Sequence, residues 1–418
     1  MTYEQALDLI HSQGRLSKKA GVHRMKKLME LLGNPHKRLE FVHVAGTNGK
    51  GSTTAMIAAA CAAAGKKTGK FISPFVIEFR ERFQINDEYI SKQVLVDIVK
   101  EVMPLVRAVE EELDDRVNEF ELTTTIGLVW FARECCDVVV LEAGIGGRTD
   151  ATNVIDAPKA AVISTIGLDH TALLGETIGE ITLEKCGIIK NGCVVVSNPS
   201  QPPEAVQVIK EQCTQKGCKL VLANEADVSL VQSQLGKTRF VYGEREWELS
   251  LSGSYQVFNA VAAIEVCKVL GLEDEAVQTG LRKAFIPARL EVLSQMPLVL
   301  LDGAHNPAGA KALSKALKQL GSPKFTAVTG MLREKDWQET EEYMLEFIND
   351  AITLTPNNPR ALSGMELAEW FSQKGICAVY AENCEQALKK ALQSDRVLIF
   401  GSLYLAAELR EEFLKQTK

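Results

Sequence analysis

The sequence lacks several features that mark large classes of protein. Its 10 cysteines include no CxxC pair, which argues against a zinc ribbon and against a thioredoxin-type motif. Unpatterned cysteines in a chain of this length are typical of a reducing compartment. Residues 1–20 are polar and contain no apolar core of the kind that a signal peptide needs. Together these absences predict a cytoplasmic protein.

An excess of basic charge and a long apolar run are also missing. The chain carries 47 Lys and Arg residues against 54 Asp and Glu residues, a net charge of -7. Because binding to a nucleic-acid backbone needs a basic surface, we predict no nucleic-acid partner. The longest apolar helical run, residues 55–64, is too short to span a bilayer, so we predict no membrane association. We expect a monomer whose partners are small molecules.

Apolar strands that alternate with helical segments predict the fold class. A chain of 418 residues exceeds what one hydrophobic core usually supports, so we expect two domains. Strand candidates lie at residues 41–45, 68–72, 138–141, 161–164 and 194–197, and helical segments separate most of them. This rhythm is typical of an α/β domain with a mostly parallel sheet.

The alternation of strands and helices is interrupted between about residues 219 and 252. Residues 220–223, 238–242 and 247–252 resemble short strands in hairpins. A second series of strands and helices follows, with strand candidates at residues 299–301, 326–329, 352–355, 378–380 and 397–400. We therefore predict a P-loop ATPase-type domain with a mostly parallel sheet at residues 1–290, and a smaller, Rossmann-like α/β domain at residues 291–418.

A glycine-rich loop follows the first strand candidate. Gly46-Thr-Asn-Gly-Lys-Gly-Ser52 lies between that strand and an Ala-rich helix, which is the arrangement of a phosphate-binding unit. Glycines let successive N–H groups turn toward an anion, and Lys50 and the helix N-terminus add positive charge. Gly51 stands where the usual pattern has Ser or Thr, so the loop is a variant. A glycine-rich turn without a ligand is the alternative interpretation, and the motif alone leaves GTPases, kinases and ligases open.

Further candidates follow the later strands. Glu142 ends the strand at 138–141, His170 follows the strand at 161–164, and Lys185 lies on the next helix. In a parallel sheet the carboxyl ends of the strands meet at one edge, where α/β sites form. A carboxylate there can hold magnesium, whereas a lone His is more often structural and a lone Lys is ordinarily a surface charge. Together with Lys50 and Ser73, these residues fit a site that binds a triphosphate.

A series of motifs resembles the folylpolyglutamate synthase and dihydrofolate synthase family of the Mur ligase superfamily. The motifs are His43-Val-Ala-Gly-Thr-Asn-Gly-Lys-Gly-Ser52, Ser73-Pro-Phe75, Phe79-Arg-Glu-Arg82, Glu142-Ala-Gly-Ile-Gly-Gly-Arg-Thr-Asp-Ala-Thr-Asn153, Leu168-Asp-His170, Glu184-Lys-Cys-Gly-Ile-Ile189, Pro287-Ala-Arg-Leu-Glu291 and Asp302-Gly-Ala-His-Asn-Pro307. They cover nearly the whole chain. The resemblance implies an ATP-dependent ligase that adds L-glutamate to the terminal carboxylate of a folate through an acyl phosphate, and it leaves open whether dihydropteroate is also a substrate.

The resemblance also assigns roles to residues. The ATP contacts would be Gly49, Lys50, Gly51, Ser52, Asn259, Arg289 and Asp302. The Mg²⁺ ligands would be Ser73, Glu142 and His170, and the catalytic residues would be Lys50, Lys185 and His305. Lys185 would be carbamylated. The pterin side of the folate would meet Phe120, Glu121 and Thr123.

Two other functions remain alternatives at this point. Another Mur-type ligase, acting on a peptidoglycan precursor, would need a site for a nucleotide sugar, and a phosphate loop at residue 46 predicts no room for an extra N-terminal domain. A non-enzymatic, nucleotide-switched P-loop module would not need Lys185 or the motif at residues 302–307. A dependence of ATP hydrolysis on both a folate and an amino acid would distinguish a folate ligase from these two alternatives.

Overall fold

The computed structural model describes residues 1–14, 18–321, 323–333 and 336–416. The helices are α1 (Tyr3–His11), α2 (His23–Leu31), α3 (Lys50–Ala63), α4 (Lys92–Leu113), α5 (Glu119–Arg133), α6 (Thr171–Leu174), α7 (Ile178–Lys185), α8 (Pro203–Gln215), α9 (Ser254–Val269), α10 (Asp274–Lys283), α11 (Pro307–Gln319), α12 (Trp337–Glu342), α13 (Gly364–Gln373), α14 (Cys384–Ala391) and α15 (Leu403–Gln416). The strands are β1 (Phe41–Ala45), β2 (Thr68–Phe71), β3 (Phe83–Ile85), β4 (Glu88–Tyr89), β5 (Val138–Glu142), β6 (Ala160–Ile163), β7 (Val194–Ser197), β8 (Lys219–Leu222), β9 (Val228–Gln234), β10 (Lys237–Tyr242), β11 (Arg245–Leu249), β12 (Glu291–Gln295), β13 (Leu298–Leu301), β14 (Phe325–Thr329), β15 (Ile348–Thr353), β16 (Cys377–Tyr380) and β17 (Arg396–Phe400).

Internal packing divides the chain into two compact units. The N-terminal unit comprises Met1–Phe75, Phe79–Asp227 and Phe258–Ala284, and the C-terminal unit comprises Val76–Glu78, Val228–Val257 and Phe285–Lys418. A compact unit is defined by packing and not by activity, so the division of roles at residue 290 stays a prediction.

The N-terminal unit is built on an eight-stranded sheet with the order β4-β3-β2-β5-β1-β6-β7-β8. β1 lies between β5 and β6 and pairs with both in parallel. Every residue of β1 and β5 is buried, as expected for strands covered by helices on both faces. The predicted α/β class with a mostly parallel sheet is confirmed. Because β1, β5 and β6 are parallel, their carboxyl ends lie at the same edge of the sheet. The prediction omitted β3 and β4, which add an antiparallel margin.

The predicted hairpin pairing of residues 220–223 is wrong. These residues fall mainly in β8, which pairs in parallel with β7 at the margin of the large sheet. α8 connects β7 to β8, and such a helical crossover returns the chain in the same direction. The antiparallel pairing belongs instead to a separate sheet with the order β11-β10-β9.

Close packing explains the alanine content of α3, the helix that follows the glycine loop. Its residues 52–61 are all buried. A Cβ atom added to Gly280 of α10 would lie 2.4 Å from the Cα atom of Ala60, so the two helices touch backbone to backbone. Larger side chains at this contact would force the two helices apart.

The C-terminal unit contains a six-stranded sheet with the order β12-β13-β17-β14-β15-β16. β12 is antiparallel to β13, and the remaining neighbours are parallel. Helices follow most of these strands, which confirms the predicted second α/β domain. Within the part of the chain that the structure describes, no helix is both long and apolar enough to cross a membrane.

Candidate active site

The glycine loop between β1 and α3 is shaped by close approaches that only glycine allows. Gly49 has φ 84°, and a Cβ atom there would lie 2.3 Å from Oδ1 of Asn259. A Cβ atom on Gly46 would lie 1.8 Å from Oγ of Ser164, on the loop after β6. The loop therefore fits tightly against its neighbours. An α-helix leaves its first N–H groups without intrahelical partners, so the start of α3 offers donors to an anion.

The predicted lysines both meet this loop. Nζ of Lys50 donates to the carbonyl oxygens of Gly46 at 3.1 Å and Thr47 at 3.3 Å. Nζ of Lys185, at the end of α7, donates to the Gly46 carbonyl at 2.7 Å. Lys185 is only 3% exposed. Burial, reinforced by the charge of Lys50, lowers the pKa of Lys185 to about 7, although Asp169 and Asp150 oppose the shift.

Glu142 and Ser73, two of the predicted magnesium ligands, lie together beside α3. The backbone N–H of Ser73 donates to Oε2 of Glu142 at 3.2 Å, and Nη1 of Arg82 donates to Oγ of Ser73 at 3.0 Å. A Cβ atom on Gly51 would lie 3.5 Å from Oε2 of Glu142. Gly51, on the first turn of α3, therefore lies beside this carboxylate.

His170, the third predicted ligand, lies on the loop after β6 at the start of α6. It is exposed, has φ 51°, and its Nε2 lies 3.9 Å from Oδ2 of Asp169. Among the residues that the structure describes, no three His, Cys, Asp or Glu side chains form a cluster that could hold a metal ion. Mg²⁺ commonly takes one or two protein carboxylates and completes its shell with water and phosphate oxygens. Glu142 and Ser73 fit such a site, and the ligand assignment stays a prediction.

A buried network that the sequence analysis missed supports the turn after β5. The Asp150 carboxylate accepts hydrogen bonds from the N–H of Ile145 at 3.0 Å and from the hydroxyl of Thr152 at 2.5 Å. That hydroxyl also accepts from Nε2 of His43 on β1, at 2.8 Å, because its own proton goes to Asp150. Burial lowers the pKa of His43 to about 3, so the ring is neutral. Asp followed two residues later by Thr is the signal that could have identified this turn.

The three predicted folate contacts lie at the start of α5. A Cβ atom on Gly144 would lie 2.7 Å from Cζ of Phe120, so this half-buried ring rests against the turn after β5. Glu121 is 3% exposed and forms an ion pair with Arg24 at 2.9 Å. The Thr123 hydroxyl donates to the carbonyl of Glu119 at 2.7 Å. Phe120 is thus the member of the set that borders the loops of the site.

Asn259, a predicted ATP contact on α9, belongs to the N-terminal unit. It is 3% exposed, and its Oδ1 accepts from Nδ2 of Asn198 at 3.2 Å. The same oxygen lies against Gly49, as described above. The structure therefore brings Asn259 to the glycine loop.

Arg289, Asp302 and His305 lie together in the C-terminal unit, around the end of β13. The Asp302 carboxylate accepts from the N–H groups of Leu290 and Ala304, both at 2.8 Å. Burial raises the pKa of Asp302, and Arg289 counteracts this. Nδ1 of His305 lies 2.9 Å from the Gly303 carbonyl. Asp302 thus holds the two turns that carry Arg289 and His305, and their roles toward ATP or glutamate stay predictions.

Comparison with known proteins supplies the family. Residues 44–267 match the Mur ligase middle domain, and residues 288–403 match the Mur ligase glutamate ligase domain. The chain is 35% identical over 436 residues to folylpolyglutamate synthase of Lacticaseibacillus casei, covering 99% of each chain. It is 36% identical over 430 residues to dihydrofolate synthase/folylpolyglutamate synthase of Bacillus subtilis (strain 168), covering 98% of each.

A solved structure agrees with these matches. An FPGS-AMPPCP-folate complex superposes with a TM-score of 0.85 at 33% identity, covering 99% of this chain and 100% of that one. That protein therefore binds an ATP analogue and folate. Both comparisons confirm the predicted resemblance. The chain belongs to the folylpolyglutamate synthase and dihydrofolate synthase family of Mur ligases.

Proposed function

We propose that this chain is an ATP-dependent ligase that joins L-glutamate to the terminal carboxylate of a folate. The observation that carries the proposal is the convergence at the end of β1, where Lys50 and Lys185 both meet the Gly46 carbonyl beside Glu142. A nucleotide phosphate at the start of α3 would meet positive charge and N–H donors there. The family match, which spans nearly the full chain, supplies the substrates.

The chemistry follows from the weakness of a carboxylate as an electrophile. An oxygen of the folate carboxylate attacks the γ-phosphorus of ATP, and the bond from that phosphorus to the bridging oxygen breaks. ADP departs, and the folate carboxylate has become an acyl phosphate. The glutamate nitrogen then attacks the carbonyl carbon, loses a proton, and inorganic phosphate departs with the C–O electron pair. Lys50 and the start of α3 stabilise the charge that develops on the phosphoryl oxygens.

Ser73, Glu142 and His170 would hold Mg²⁺, which supplies charge neutralisation when bound. The position of the Glu142 carboxylate beside Gly51, on the first turn of α3, supports this assignment. Buried Arg82 donates to Ser73 and so holds its hydroxyl in one orientation.

Carbamylation of Lys185 is the second part of the proposal. A lysine attacks CO₂ only as the neutral amine, because the ammonium ion has no free electron pair. A pKa of about 7 leaves much of Lys185 neutral at physiological pH. The new N–C bond and the loss of one proton give a carbamate, which converts a cation beside the phosphate loop into an anion.

We also propose the finer organisation expected from the sequence. Residues 1–290 would form the ATP-binding domain and residues 291–418 the glutamate-ligase domain, in line with the family domain matched at 288–403. A monomer in the cytoplasm is expected, and the 10 free cysteines fit a reducing compartment. Dihydropteroate is a second acceptor to test, because the Bacillus subtilis relative carries both activities in its name.

The test is ADP release from the purified chain with ATP and Mg²⁺. Tetrahydrofolate, dihydropteroate and L-glutamate are added singly and in pairs. We expect release when L-glutamate accompanies tetrahydrofolate and none with any of the three compounds alone, and release with dihydropteroate plus L-glutamate would add the second activity. Lys50→Ala should abolish release, whereas Lys66→Ala, beyond the other end of α3, should not. ADP release that does not depend on the folate or on the amino acid would overturn the proposal.

A further inference from the structure

A buried ion cluster joins separate segments of the N-terminal unit at the start of α5. The cluster consists of Arg24, Asp115 and Glu121, which are 2%, 4% and 3% exposed. Nη1 of Arg24 donates to Oδ2 of Asp115 at 2.5 Å, and Nη2 donates to Oε1 of Glu121 at 2.9 Å. Nε lies 3.1 Å from both Glu121 oxygens. The guanidinium group is thus shared between two carboxylates, and we call this set the Arg24 clamp.

Stability alone is a weak explanation for the Arg24 clamp. Removing charges from water costs several kcal/mol per ion, and apolar residues of similar volume often serve a fold equally well. A buried guanidinium restricts the positions of its partners, because its N–H groups lie in one plane and can donate to a carboxylate only over a narrow range of positions. The positions that it restricts are therefore the informative feature.

On one side the Arg24 clamp holds the segment that precedes α2. Oδ1 of Asp115 accepts from the N–H of Lys18 at 2.8 Å, and Nη1 of Arg24 donates to the carbonyl of Lys19 at 2.8 Å. A further bond ties Gly14 to the same helix start, since the N–H of Glu119 donates to the Gly14 carbonyl at 2.8 Å.

On the other side it holds the first turn of α5. Glu121 accepts from the N–H of Asn118 at 2.9 Å, and the Asn118 side chain accepts from the N–H of Glu121 at 2.9 Å. This capping box sets where α5 begins. Phe120 lies inside that turn, and its ring rests against Gly144 and lies 6.1 Å from the ring of Phe71. Any shift of Glu121 therefore moves the Phe120 ring relative to the loops of the site.

We propose that Arg24 is a positioning residue for folate binding. By holding Glu121 and Asp115, it fixes the first turn of α5 so that Phe120 presents its ring to the aromatic part of the folate, where ring packing contributes affinity. Arg24 acts through Phe120 and does not touch the nucleotide loop. This inference rests on the proposed function, because it takes the folate as the ligand that Phe120 meets.

The experiment compares substrate parameters in Arg24→Met, Arg24→Lys and Asp115→Asn. Lys70→Met is the matched control, because it breaks another partly buried ion pair, with Asp87 at 2.7 Å. Lys70 precedes Phe71 on β2, and neighbouring residues of a strand point to opposite faces of the sheet. The Lys70 side chain therefore lies on the face away from Phe71 and Phe120. KM for tetrahydrofolate, KM for ATP and kcat are measured below the unfolding transition, and tetrahydrofolate binding is measured by calorimetry without ATP.

For Arg24→Met we expect KM and Kd for tetrahydrofolate to rise by about 10-fold or more, with KM for ATP within about twofold. Arg24→Lys should recover part of the loss, and Lys70→Met should change neither constant. Asp115→Asn should show a smaller rise of the same kind, and it decides the matter if Arg24→Met does not fold. An unchanged tetrahydrofolate Kd, or an equal rise in both KM values, would overturn the inference. Wild-type protein that binds folate yet releases no ADP would instead count against the proposed ligase reaction.

Discussion

Arg24 and Lys185 are both buried cations of the N-terminal unit, and their surroundings differ in kind. Arg24 faces two carboxylates at hydrogen-bond distance. Burial alone would lower the pKa of Arg24, but Glu121 and Asp115 outweigh it and raise that pKa. Lys185 faces a carbonyl oxygen and a second lysine, and its pKa falls to about 7. Burial is therefore accompanied by opposite pKa shifts in the two regions, upward for Arg24 and downward for Lys185.

The difference shows that one unit holds buried cations in two distinct environments. At the start of α5 two carboxylates neutralise the guanidinium of Arg24, which gives a fixed turn and an unreactive cation. At the glycine loop Lys185 donates to the Gly46 carbonyl, and burial together with the charge of Lys50 outweighs the opposing effect of Asp169 and Asp150. An amine held in this way is destabilised as a cation and is available as a nucleophile or as a site of modification.

The largest expected effect is on stability at the Arg24 clamp. Arg24→Met leaves two buried carboxylates without their cation, and loss of one partner of a buried pair typically costs about 3–5 kcal/mol. Urea unfolding followed by circular dichroism measures the change. Lys70→Met, whose partner Asp87 is exposed, should cost less. A loss below about 1 kcal/mol for Arg24→Met would remove the contrast between the two regions.

The next effect is on catalysis at Lys185. Lys185→Ala should lower kcat/KM for folate-dependent ADP release by about 100-fold or more, because the group beside the phosphate loop is lost. Lys185→Arg should not restore activity, since a guanidinium stays charged and forms no carbamate. Lys190→Met is the control, because Lys190 is a half-buried lysine that donates to the carbonyls of Asn153 and Ile155 instead. Near-normal turnover in either Lys185 variant would show that the assigned role is wrong.

A third prediction concerns the pH dependence of stability. Because the folded chain lowers the pKa of Lys185 from 10.5 to about 7, the unfolded chain binds more protons between those values. The free energy of unfolding contributed by this group therefore rises with pH across that window, by up to about 1.4 kcal/mol per pH unit. The measurement is the difference between wild type and Lys185→Met in CO₂-free buffer from about pH 7 to 10. A difference that is flat or falls with pH contradicts it.

The smallest effect is expected at an exposed ion pair near the same loops. Arg148 pairs with Glu184 at 2.8 Å, and its side chain is 64% exposed. Solvent screens such pairs, so Arg148→Ala should change the free energy of unfolding by only about 0.2–1 kcal/mol. Thermal unfolding at low and high salt checks this, and a loss as large as that of Arg24→Met would contradict the view that burial sets the scale.

Much of the fold was predictable because its signals are local. β1, the glycine loop and α3 are contiguous, and their apolar run, glycines and alanines predict strand, turn and helix directly. The hairpin assignment at residues 220–223 was wrong because a short apolar run does not reveal its pairing partner, which the preceding α8 decides. The Asp150 network was missed for a related reason, since His43 and Thr152 lie 109 residues apart in the chain.

The sequence by itself determined the α/β class, the glycine loop between a strand and a helix, and the family, because periodicity and motifs lie in contiguous residues. Tertiary structure decided the surroundings of each charged residue. Lys185 and Gly46 are 139 residues apart, and Arg24 and Glu121 are 97 apart. Whether a buried cation meets a carbonyl or a carboxylate depends on which distant segments pack together. Only that packing sets the desolvation and the partner of each cation, and hence the difference in pKa between Lys185 and Arg24.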